Sequence, residues 1–158
     1  MARVQSNYKE VIERLKKRFN SSLDIGSLEA LGDAAIVEVQ KRTRLGNDKF
    51  DEKFSPIQPK TVEARKNSGD LSPFTTPSRS NQTATGQMVE AMDKRVVVDN
   101  QKKYVEIFLK SERDDGPTNQ DVALGNKKRG REFFGLSPKN KQRLRTLIRN
   151  ILQKITRY

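Results

Sequence analysis

The residue types that most often carry catalysis are missing from this chain. Histidine and cysteine are both absent from its 158 residues. That removes the usual near-neutral general base, the thiol nucleophile and the common zinc ligands together. Catalysis would have to rest on carboxylates, lysine, serine or tyrosine, and the paired acids Asp51/Glu52 and Asp114/Asp115 are the candidates. Both pairs lie in hydrophilic stretches beside Lys or Arg, with no third oxygen ligand at a recognisable spacing, and a hard cation needs several converging oxygens. The run GNKKRG at 125–130 lacks the spacing of a phosphate-cradling P-loop. These residues predict no enzyme, no metal and no cofactor. A carboxylate-dependent nuclease relying on Asp114 and Asp115 is the catalytic alternative.

What the chain does have is positive charge, and it is unevenly spread. The formal charge is +12 with a pI near 10.1, which points to a polyanion or an acidic protein as partner. From Asn126 onward there are eleven Lys or Arg and one acid, Glu132, a net +10, which leaves +2 for everything before it. Lys127, Lys128, Arg129, Arg143, Arg145 and Arg149 are therefore the candidate contacts to DNA phosphates or to an acidic partner. Aromatic residues are not interleaved with these cations as in a base-stacking surface, and no named DNA- or RNA-binding motif is present. Charge of this kind gives non-specific affinity only.

Something must position that charge, and the best helix signal in the chain does so. Ser137 is a natural N-cap with Pro138 at the first helical position. Leu144, Leu147, Ile148, Ile151, Leu152 and Ile155 then recur at steps of three and four, so they form one apolar stripe opposite the cations. Immediately before the cap lies an aromatic turn, Arg131, Phe133, Phe134, Gly135 and Leu136, expected to anchor the helix. Glycine at 135 would permit a tight turn.

Earlier in the chain, Tyr8, Ile12, Leu15 and Phe19 fall on one helical face over 8–19, with Asn7 and Glu10 as a capping box. Leu28, Leu31, Ala35 and Val39 predict a second helix that ends near Leu45, with Gly46 as its stop. Periodicity then disappears over 46–82, where four of the six prolines fall. Only 59–66 there has helical character, and Phe50, Phe54 and Phe74 are the expected anchors of the loop. Thr85–Met92 reads as a capped helical turn. The runs 95–99 and 104–109 read as a β-hairpin, with Val105, Ile107 and Leu109 on its apolar face. A hairpin alone is marginal, so 119–125 is expected to supply a third strand and the C-terminal helix to cover the sheet.

With 33% hydrophobic residues and a mean hydropathy of −0.85, the chain predicts one lean domain whose burial is completed by neighbouring subunits. The fold class is α+β. A small antiparallel sheet, hairpin plus third strand, packs with N-terminal helices and a long C-terminal helix, and a long loop orders on assembly. Residues 1–45 form the helical part, 46–82 an extended arm separable from the fold, and 83–158 the Thr-Gly turn, hairpin, aromatic turn and final helix. The first ten residues hold no apolar run suited to a signal peptide, and no segment approaches membrane-span length. Use in a cytosol, or in a particle assembled there, is expected.

Taken in order, the blocks K-R-T-R-L-G (41–46), F-S-P-I (54–57), Thr61, Arg65, T-G-Q-M (85–88), a hairpin and R-E-F-F-G-L-S (131–137) before a final helix resemble the tail-completion and neck proteins of tailed bacteriophages, the virion morphogenesis or head–tail connector proteins. The chain departs from them in lacking a histidine or aromatic followed by glycine after the second strand, and in a longer, more polar stretch at 68–82. The resemblance implies a non-enzymatic virion subunit. It would form a homo-oligomeric ring at the head–tail junction, contact portal, adaptor or tail proteins, touch packaged DNA non-specifically and avoid membranes. Its location would be the virion neck or tail, and the host cytoplasm during assembly. A basic nucleic-acid-binding or ribosome-associated protein is the alternative reading.

Overall fold

A computed structural model describes residues 24–69, 71–80, 86–99, 102–111 and 116–156, with the side chains of 154–156 excepted. The expected helix over 8–19, the acids Asp114 and Asp115, Thr85 and Ile155 lie outside the residues or side chains described. The fold is α+β.

Helix α1, Ile25–Arg44, is the longest described element. It begins earlier than apolar periodicity suggests because Asp24 is the cap: its carboxylate accepts the Ser27 N–H at 2.6 Å. It stops at Gly46, whose φ of +82° suits a residue without a side chain. Helix α2 spans Pro59–Asn67, with proline opening it as the sequence predicts. The single turn α3, Gln87–Glu90, follows Gly86 in a left-handed conformation.

Strands β1, Met92–Val98, and β2, Lys103–Leu109, pair antiparallel with Val96 opposite Val105. Helix α4, Asn119–Lys128, and helix α5, Pro138–Thr156, complete the chain.

Two expectations fail here. The segment 119–125 is helix rather than a third strand, and the described sheet has two strands. The cause is a capping box. Thr118 Oγ1 accepts the Asp121 N–H at 3.1 Å and Asp121 Oδ2 accepts the Thr118 N–H at 3.3 Å, so T-N-Q-D nucleates a helix before the apolar residues begin. Asn119, buried at its start, donates to the Lys110 carbonyl at 2.9 Å and ties the helix to the end of β2.

The second failure concerns what covers the hairpin. Helix α1 lies across both strands, and α5 packs on α1. Gly32 makes the crossing possible: a Cβ there would stand 2.9 Å from Val105 Cγ1 and 2.8 Å from Lys94 Cδ. The α5 stripe, Leu144, Leu147, Ile148, Ile151 and Leu152, is only half-buried.

The main core gathers Val39, Phe54, Met88, Val89, Met92, Leu109 and Phe133. It therefore draws on helix, loop, hairpin and aromatic turn at once, which is how a lean chain obtains a dry centre.

Candidate functional site

Within K-R-T-R-L-G the last turn of α1 sends side chains in opposite directions. Arg42 and Thr43 are buried, while Lys41 is exposed. Thr43 satisfies its hydroxyl on the Val39 carbonyl one turn back, at 2.8 Å. Arg42 reaches out of its helix into the aromatic turn. It donates to the Phe133 carbonyl, to the Gly135 carbonyl at 2.9 Å and to Asn140 Oδ1 at 2.6 Å. Burial pushes its guanidinium below the ordinary arginine value, and the nearby charges of Asp51 and Asp48 oppose that shift.

The network continues outward through Asn140. Its Nδ2 donates to Glu38 Oε2 at 3.2 Å, and Arg143 donates to the same oxygen at 2.6 Å. Asn140 also completes the cap of α5. Its backbone N–H donates to Ser137 Oγ at 3.1 Å, and the Ser137 N–H donates to Asn140 Oδ1 at 3.3 Å. Ser137 is thus the cap the sequence predicts, and it is fully buried.

On the other side, 46–56 clamps the same turn. Asp48 is buried and its Oδ1 accepts the N–H groups of Phe50 at 2.8 Å and Glu52 at 2.9 Å, which folds the segment into a compact loop. Asp51 stands at φ +68°, held so that its carboxylate accepts the Lys139 N–H at 3.2 Å, at the positive end of α5. The Lys49 N–H donates to the Glu132 carbonyl at 2.8 Å. Glu132 is paired with Lys49 at 2.8 Å and Lys127 at 3.3 Å. Its carboxyl is lowered first by the hydrogen bond from Lys49, against the cost of desolvation, and then more weakly by Lys127. Arg131 donates to the carbonyls of Ser55 at 3.1 Å and Pro56 at 3.0 Å. Phe54 is buried in the core.

The anchor residues are therefore brought together. Phe133 is 1% exposed. It packs edge-to-face with half-buried Phe134 at 6.2 Å. Gly135 takes φ +123°, and Leu136 packs against the core. The loop anchors divide. Phe54 is one, whereas Phe50 and Phe74 are exposed and each lies beside a cation, Lys49 Nζ at 4.9 Å and Arg44 Cζ at 3.9 Å. The first part of the arm belongs to the fold, because Gly46, Asp48 and Phe54 are buried at the junction.

The predicted cationic residues lie on two elements. Lys127, Lys128 and Arg129 are exposed at the C-terminal end of α4, where the helix dipole favours cations. Arg145 and Arg149 are exposed on α5, and Arg143 is drawn to Glu38. Among the described residues no group of three or more acids is placed to hold a metal ion. No described helix is long and apolar enough to cross a membrane.

Sequence reasoning misses Arg42, Glu38, Asp48 and Asn140. A signal for Arg42 does exist, since it continues the buried stripe Leu28, Gly32, Ala35, Val39 at the next helical step. A cation on an apolar stripe implies carbonyls waiting for it. No family model, no curated protein and no solved structure matches this chain.

Proposed function

We propose that the chain is a structural subunit of the phage neck, a head–tail connector or tail-completion protein that forms a homo-oligomeric ring. Its work is geometric rather than catalytic. One observation supports the reading above others: three of the blocks that carry the resemblance, 41–46, 54–57 and 131–137, far apart in sequence, meet at one junction fastened by Arg42 and Arg131. The exposed apolar residues Ile25, Val37, Val98, Tyr104 and Leu124 lie outside that junction and offer surface for neighbouring subunits.

Electron microscopy and native mass spectrometry of the purified chain test the proposal. A closed ring is expected, alone or on addition of portal or tail subunits, and loss of the gene should yield filled heads and tails that do not join. A chain that stays monomeric and co-sediments with ribosomes would overturn the reading in favour of a basic nucleic-acid-binding protein, the alternative suggested by the net +10 after Asn126.

A further inference from the structure

A groove of about 530 Å³ lies beside the junction, between the end of α1, the segment 73–79 and α5. Lys41, Arg44, Arg79 and Arg143 line it around Phe74 and Thr76, and no carboxylate does. Two of the cations are already matched: Arg143 with Glu38 at 2.6 Å and Arg44 with Glu90 at 3.7 Å. The charge left over is that of Lys41 and Arg79, which have no carboxylate partner among the described residues. The Arg44 guanidinium lies 3.9 Å from the centroid of the Phe74 ring, and that phenylalanine is 44% exposed. The guanidinium covers one face of the ring, so the two form a short stack at the groove with the other cations around it.

We propose that this groove binds a single-stranded segment of nucleic acid, with phosphates held by Lys41 and Arg79 and a base added to the Phe74–Arg44 stack. Phosphate charge alone would be served by any cationic surface, such as Arg145 and Arg149 on α5. The ring is what separates this groove from Arg145 and Arg149, because an aromatic residue in a concave site lined by four cations suits unpaired bases, whose faces a duplex conceals. An acidic peptide would use the cations and have no need of the ring. The volume is within the range of about 300–1,000 Å³ usual for ligand sites. The inference does not depend on the neck reading, and is tested on the free protein.

Fluorescence anisotropy of a labelled thymidine oligonucleotide with the full chain, at two salt concentrations, reads the binding. Affinity should fall with salt. Lys41→Ala with Arg79→Ala should flatten the log–log salt dependence by about 1.4, at about 0.7 per phosphate contact on a single strand. Phe74→Leu keeps an apolar side chain and removes the flat face, and should weaken binding roughly 5- to 150-fold with the salt slope unchanged. Circular dichroism verifies folding of each variant, and Phe74→Tyr, which retains the ring, should restore binding. Unchanged affinity in the groove variants would overturn the proposal. So would equal loss from Arg145→Ala with Arg149→Ala, equal competition by poly-glutamate, or a duplex that binds as tightly and ignores Phe74→Leu.

Discussion

Two arginines two residues apart show how differently this chain uses the same side chain. Arg42 points into the protein and is consumed by two carbonyls and an asparagine. Arg44 points into a groove and lies over an exposed ring. A helix turns about 100° per residue, so positions two apart face nearly opposite ways, and the end of α1 serves structure on one side and surface on the other. The lesson is that the positive charge of a basic protein is not one property. Part of it is solvent-exposed, and part is a fastening whose loss would be felt far along the chain.

The sharpest way to break the contrast is Arg42→Met, which keeps the stem and deletes the donors. It should destabilise the fold by roughly 3–5 kcal/mol, because buried acceptors on Phe133, Gly135 and Asn140 lose their partner together. Chemical denaturation measures it, and a loss under about 1 kcal/mol would mean that the junction does not depend on this side chain. Ser137→Ala should cost roughly 0.5–2 kcal/mol through the lost cap of α5. Acid tests the pairs around the junction and hairpin. Asp24 is held below its ordinary value by the Ser27 N–H, Asp93 by the Lys94 N–H and then Lys110, and Glu132 by Lys49. Carboxyls lowered in the folded state contribute stability above their unfolded values, and lose it as pH falls through the folded ones. The thermal midpoint should therefore decline below about pH 4, and neutralising Glu132→Gln should blunt that decline. At the small end, Lys41→Ala with Arg79→Ala should change stability by no more than about 0.5 kcal/mol while altering what the surface binds.

Much of the fold follows from short-range patterns. Val105, Ile107 and Leu109 alternate and form a strand, Ser137-Pro138 opens a helix, Pro59 opens another, and Gly46 ends α1. The expected third strand fails because Val122, Ala123 and Leu124 taken alone are an apolar run, and an apolar run of that length fits strand or helix equally well. The Thr118–Asp121 box decides between them.

The candidate site was legible in part. Composition and pattern mark the aromatic turn as an anchor, and Phe133 occupies the core accordingly. Phe50, Phe54 and Phe74 look alike in sequence, since each is a lone aromatic in a polar loop. Only Phe54 meets the core, because the Gly46 carbonyl and the Asp48 turn direct it there.

By itself, then, the sequence determined most of the elements, the Ser137 cap, the basic stretch from Asn126 onward and the absence of histidine and cysteine chemistry, since these follow from composition or from neighbours within a few residues. Which element covers the hairpin, which arginine is buried, and how 41–46, 54–57 and 131–137 come to share one junction were decided only by tertiary structure. The reason is steric and electrostatic. Gly32 is the place where a helix can approach the strands, and Arg42 can be buried only where the carbonyls of a distant turn have been folded to meet it.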